Sequence, residues 1–256
     1  MSPYPQPITP VDHVEPVPRR IRGVLDGRVV FDTTQALYLW EWPFYPQYLI
    51  PAADLDAAFY TEGETHSLRR GTTVVLDLQV GDTVRAKAAR RYVDASINAI
   101  VGFVRFDWDA LDAWYEEDEQ VFVHPRNPYV RVDALRSSRS VRVERDGVVL
   151  AQSAATVMVF ETGLPTRHYF DPTAVDFTHL TPSDTVTACP YKGRTTRYWN
   201  AGLAGAEIAD IAWSYAFPTL ALAPIAGLVA FYDEIVDTVV DGVLNPRPVT
   251  HHRTDD

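Results

Sequence analysis

A single cysteine, Cys189, stands in the 256 residues. It rules out an intramolecular disulfide and a multi-cysteine zinc site, and it suits a reducing cytoplasm. Lysine is almost as scarce: Lys87 and Lys192 stand against 21 arginines, a balance that the codon bias of a GC-rich genome would produce. Positive charge as a whole is in deficit, with a formal net charge of −11. Neutralising phosphates requires clustered Lys and Arg and a positive local field, so this net charge argues against a broad polyanion-binding surface, and nucleic acid is not expected as a main partner. The longest apolar run, near Leu220 to Tyr232, is too short to span a bilayer, and a membrane partner is not expected. The opening residues, MSPYPQPITPVDHVEPVPRR, lack the apolar centre of a secretory signal and read as a flexible proline-rich arm over residues 1–18.

What the chain does have is apolar material: 46% hydrophobic and 12% aromatic residues against 22% charged. That is enough for packed cores rather than a disordered chain. Length alone is compatible with one domain or two, and an internal repeat decides between them. IRGVLDGRVVFD at 21–32 matches VRVERDGVVLAQ at 141–152, with Asp26-Gly27 falling on Asp146-Gly147. Each is an Asp-Gly turn between apolar-alternating segments, the signature of a β-hairpin. At the same offset Glu41, ending ALYLWE, falls on Glu161, ending TVMVFE. The register then drifts by a few residues, as loops absorb insertions, and Gly71, Tyr92, Gly102, Phe106 and Asp112 align with Gly193, Tyr215, Gly227, Phe231 and Asp237.

Both copies end on a stripe at helical spacing: Ile225, Leu228, Val229, Tyr232, Ile235 and Val236 in the second, and Ile100, Phe103, Val104 and Leu111 in the first. Pro224 would fit the first turn of such a helix. The expected fold is α+β and mainly antiparallel β: two tandem copies of a strand-rich domain, each closed by one helix. The first repeat spans 19–133 and the second 134–250, with a polar tail at 251–256. An acidic stretch, Glu116 to Glu119, opens the linker between the copies and reads as solvated or partner-facing.

Polar motifs are unequally divided between the copies. The second holds Thr181-Pro182-Ser183-Asp184, then Cys189-Pro190-Tyr191-Lys192-Gly193, Tyr198-Trp199 and Trp213-Ser214-Tyr215, together with Glu161, His168-Tyr169-Phe170 and FYDEIVD at 231–237. In the first, the CPYKG position holds Ser67-Leu68-Arg69-Arg70-Gly71, and Arg90-Arg91 stand for Trp213-Ser214. Through these motifs the chain resembles the bacterial and fungal family known as domain of unknown function 427, over essentially residues 19–250. The resemblance implies a site in the second repeat at CPYKG and WSY. The name in circulation for the family refers to nucleotidyl transfer, yet the chain shows neither a Walker-type phosphate loop nor a paired-Asp metal motif.

Read residue by residue, Lys192 with Arg194 could hold an anion at a turn. Cys189 could serve as a nucleophile if a nearby positive charge lowered its pKa, or it is a small buried apolar residue. Glu161 and Tyr191 could move a proton, although Glu41, retained in the copy that lost CPYKG, argues for a structural role at that position. Trp213, Tyr215 and Tyr169 could wall a pocket, or they are ordinary core. His168 offers a titratable ring, and with no second histidine near it in sequence it is not read as a metal ligand; no metal site is expected. No cofactor can be named. The expected function is a small-molecule enzyme or binder for a compact anionic ligand, with a non-catalytic ligand-binding or protein-interaction domain as the alternative; homo-oligomerisation stays open.

Overall fold

The computed structural model describes residues 9–203 and 205–250, and the tail at 251–256, with its His251-His252 pair, lies outside them. The chain divides into two units, one running from Ile8 to Asn127 and the other holding Pro128 onward.

In the first unit the strands are β1 (Val14–Pro16), β2 (Ile21–Leu25), β3 (Arg28–Thr33), β4 (Leu37–Leu39), β5 (Gln47–Pro51), β6 (Tyr60–Leu68), β7 (Gly71–Val80), β8 (Thr83–Ala95), β9 (Phe103–Phe106), β10 (Ala113–Glu116) and β11 (Glu119–Val121). A seven-stranded sheet runs β1-β4-β5-β9-β8-β7-β6 and a four-stranded sheet β11-β10-β2-β3. The second unit has β12 (Val132–Ser137), β13 (Val141–Arg145), β14 (Val148–Ser153), β15 (Thr156–Glu161), β16 (Arg167–Phe170), β17 (Leu180–Ser183), β18 (Ala188–Cys189), β19 (Gly193–Arg194), β20 (Arg197–Leu203), β21 (Ala206–Ser214), β22 (Val229–Phe231), β23 (Asp237–Val240) and β24 (Val243–Leu244). Its sheets run β12-β15-β16-β22-β21-β20-β17 and β14-β13-β23-β24. Strand for strand the orders are the same. The added pair β18/β19 is the tip of the hairpin that β6 and β7 form as two long strands, with a bulge between Glu62 and Thr65, in the first repeat.

The Asp-Gly turns are as expected. Asp26, Gly27, Asp146 and Gly147 all have positive φ, between 49° and 79°, which is the geometry a two-residue hairpin of matching twist requires. A bulge falls at the same place in both hairpins, between Gly23 and Val24 and between Val143 and Glu144.

Two expectations are corrected. Among the described residues neither repeat is closed by a helix: Leu220–Ile225 is a 3-10 turn kinked at Leu222, Val229 is in β22, and Leu228, Tyr232, Ile235 and Val236 lie in the connections before and after that strand. The reason is burial on both faces. In β22, Val229 and Phe231 pack into the core between the two sheets while Ala230 packs into a cluster on the outer face of the large sheet, so all three positions are apolar. A strand covered on both sides reads as a continuous apolar run, which periodicity alone does not separate from a helix. In the first repeat β9 and β10 occupy the corresponding stretch. The proline-rich arm is corrected in part: residues 1–8 lie outside the described ones, but Val14–Pro16 pairs with β4 and Val17 is buried.

Within each repeat one core lies between the sheets. In the first it includes Ile21, Phe31, Tyr38, Trp40, Tyr48, Phe106 and Trp114. In the second it includes Val141, Leu150, Phe170, Trp199, Val229 and Phe231. No helix among the described residues is long and apolar enough to cross a membrane.

Candidate functional site

Strand alternation sends neighbouring residues of β16 to opposite faces of the large sheet, and this separates two groups of side chains. Tyr169 points to the outer face and joins Tyr198, Trp213 and Tyr215 in a buried cluster that Leu222 and Ile225 of the 3-10 turn cover. His168 lies on the face that carries Phe170, toward the small sheet.

The outer cluster brings together most of the residues singled out from sequence. Lys192, at the tip of the β18/β19 hairpin, is 8% exposed and forms an ion pair with Glu161 at the end of β15. Its ammonium also lies 3.9 Å from the Cys189 sulfur. Burial opposes the charge on Lys192, but attraction to the Cys189, Glu161 and Tyr169 anionic forms outweighs it, and the ammonium titrates above the usual lysine range. Burial pushes the Cys189 thiol up, with Lys192 acting in the opposite sense, so the sulfur is not held as a thiolate. The Tyr169 hydroxyl is pushed up to about 12 by burial and accepts a hydrogen bond from Trp213 Nε1 at 3.3 Å. Burial likewise raises Tyr215 well above the ordinary phenol value. Tyr191 is half-buried, its carbonyl accepting from Thr219 Oγ1 at 2.6 Å, and Arg194 is exposed on β19.

The Lys192–Glu161 pair has a counterpart. Arg70 stands where Lys192 does, since Arg70 O accepts from Ser96 N as Lys192 O accepts from Thr219 N, and Arg70 pairs with Glu41 at 3.5 Å. Both repeats therefore tie the hairpin tip to the end of the same strand by a cation and a glutamate. This supports the structural account of Glu161.

The cavity lies on the other face. Between β15 and β16 of the large sheet and β23 of the small one is a space of about 250 Å³, lined in part by Met158, Phe160, His168, Asp233, Val236, Thr238 and Val240, with Arg139 and three prolines at its margin. Of the residues weighed one by one from sequence, His168 lines it, and Glu161, Tyr169, Cys189, Tyr191, Lys192, Arg194, Trp213 and Tyr215 do not. The first repeat explains its origin. Met158 pairs with His168 as Tyr38 pairs with Tyr48, and Thr238 faces Val143 as Trp114 faces Gly23. Asp233, two residues past Phe231, corresponds to Trp108, two residues past Phe106. Where the second repeat has Met, His, Asp and Thr, the first has Tyr38, Tyr48, Trp108 and Trp114, packed ring against ring at centroid distances of 4.8 to 6.5 Å. Smaller side chains on an unchanged frame leave a void.

His168 is the chemical centre of that void. It is 6% exposed, and among the described residues neither Nδ1 nor Nε2 has a hydrogen-bond partner. Burial holds its pKa below the ordinary imidazole value, with Arg139 and Arg167 acting in the same sense and Asp233 against them. Asp233 accepts from Thr238 Oγ1 at 2.5 Å and from Arg167 at 3.1 Å. In the sequence His168 reads only as a lone ring, Asp233 only as part of FYDEIVD, and Thr238 belongs to no motif. The signal was present at the offset of 120 that relates Glu41 to Glu161, because Tyr38 falls on Met158 and Tyr48 on His168. Among the described residues no three His, Cys, Asp or Glu side chains converge as metal ligands would.

A family profile described as domain of unknown function (DUF427) matches residues 13–117 and again 133–242. The chain belongs to this family, as two tandem copies of its domain. No curated protein matches the chain. Family membership accounts for the common strand order, and the difference between the copies is a property of this chain's own residues.

Proposed function

We propose that the second repeat is the ligand-binding copy of this DUF427 tandem, a small-molecule binder working in the cytoplasm, and that the first repeat is its closed counterpart. The observation that carries the reading is His168: a buried ring with two unpartnered nitrogens on the wall of a cavity that the first repeat fills with tyrosine and tryptophan. An unpaired buried polar atom costs about 1–3 kcal/mol, which a bound ligand or ordered water would offset. Apolar walls with a few polar groups are the usual make-up of a small-molecule site, and about 250 Å³ limits the occupant to a compact one.

A second reading keeps the compact anion at Lys192, with Glu161, Tyr191 or Cys189 as the proton-moving or nucleophilic group. It draws support from the concentration of buried titratable groups behind the CPYKG hairpin. Against it stands Glu161, which already neutralises Lys192. The two readings separate in a thermal-shift screen of compact amines, alcohols, carboxylates and phosphates on the full chain. Stabilisation that disappears in His168→Tyr and persists in Lys192→Arg supports the cavity; the reverse pattern supports the anion site and overturns the first reading.

A further inference from the structure

The charges around the His168 cavity do not balance. Arg167 forks onto Glu234, with contacts of 2.5 and 2.7 Å, and reaches Asp233 at 3.1 Å, so two carboxylates share one guanidinium. Glu234 takes the bidentate contact and a hydrogen bond from Thr250 as well. Arg139, the cation at the cavity margin, donates through Nε to Asp241 at 2.7 Å. A surplus negative charge is left, and Asp233 holds it on the cavity wall. Beside it a neutral His168 presents an unpartnered lone pair and an unpartnered N–H.

We propose that this cavity takes a small organic cation, a protonated primary amine with a compact apolar body; the inference rests on the reading of the second repeat as the binding copy. The ammonium has three N–H donors and no acceptor, which matches a carboxylate and an imidazole lone pair on the wall of one cavity. Met158, Phe160, Val236 and Val240 supply the surface for the apolar body. An anion of the same size would face Asp233 across a low-dielectric space and is rejected. Protonation of His168 removes the lone pair and adds a like charge. Asp233 favours that protonation while burial, Arg139 and Arg167 oppose it, so the amine is held near neutral pH and released on acidification.

The test uses isopentylamine, isopentanol and isovalerate, which share an apolar branch and differ in the head group, titrated into the full chain near neutral pH with His168 ring resonances and Kd as readouts. The amine is expected to shift the His168 signals and to bind at least about tenfold more tightly than the alcohol, in line with the strength of a charge-assisted hydrogen bond. Asp233→Asn is expected to abolish that preference, and His168→Phe to abolish binding. Tighter binding of isovalerate that shifts His168 overturns the cation proposal and leaves the cavity as the site. No response of His168 to any of the three overturns the site and the proposal with it. Because the head-group comparison is made on the unaltered chain, the outcome stands even if Asp233→Asn does not fold.

Discussion

At the scale of single residues, the second repeat buries a polar ring without partners and an ion pair that is fully engaged, and substitution should affect them in opposite ways. His168→Phe replaces an unsatisfied imidazole by an apolar ring in a space large enough to accept it, and is expected to raise the stability of the second repeat by about 1–3 kcal/mol in urea unfolding. It should also remove a pH dependence. A histidine whose pKa is depressed by folding contributes stability above its unfolded value, near 6.5, that is lost as pH falls below it. Unfolding curves from neutral to acid should slope less in the variant. Lys192→Met strands Glu161 in the interior and should cost about 3–5 kcal/mol, whereas Lys192→Met with Glu161→Leu should recover most of that loss. Arg70→Met, where the pair is more open, should cost about 1 kcal/mol. On the alkaline side the sign reverses. The raised pKa values of Lys192 and Tyr169 give stability that is complete below about pH 10 and falls as pH rises beyond it.

At the scale of elements, the Asp-Gly hairpins are fixed by local chemistry and are readable from sequence for that reason. Gly147, at φ 79°, has open space where a side chain would go, so Gly147→Ala meets conformational strain alone and should cost about 1–2 kcal/mol, measured as a fall in urea midpoint. The closing strands were not readable in this way. The spacing of Leu228, Val229, Tyr232, Ile235 and Val236 fits a helix, but Gly227 at φ 73° and the 3-10 turn before it break the path, and partners on β16 and β21 take the backbone of β22 into the sheet. Those partners are distant in sequence, so no local pattern announces them. The site was legible by halves. Comparing the copies pointed to the second, and the residues picked for their chemistry, Glu161, Cys189, Lys192, Tyr169, Trp213 and Tyr215, gather on one face of the sheet. The cavity lies on the opposite face because it depends on what is small at Met158 and Thr238, and a missing ring leaves no motif.

At the scale of the whole molecule, the two repeats keep separate cores, each with its own pair of sheets. Unfolding should therefore depart from a single two-state transition once one repeat is weakened. In Lys192→Met the second repeat is expected to melt first in differential scanning calorimetry, and a cavity ligand should move that transition and leave the other in place. One feature of the first repeat makes such an experiment easy to read. Four of the six tryptophans belong to it, and Trp108 and Trp114 lie face to face, 4.8 Å apart with their planes 9° from parallel. Two indoles so close couple their electronic transitions, and where the transition moments are skewed the ultraviolet circular dichroism of the pair carries a paired positive and negative band that separated indoles lack. The rings that close the first repeat to ligands are thus an optical label for it, built into the chain and silent about its neighbour.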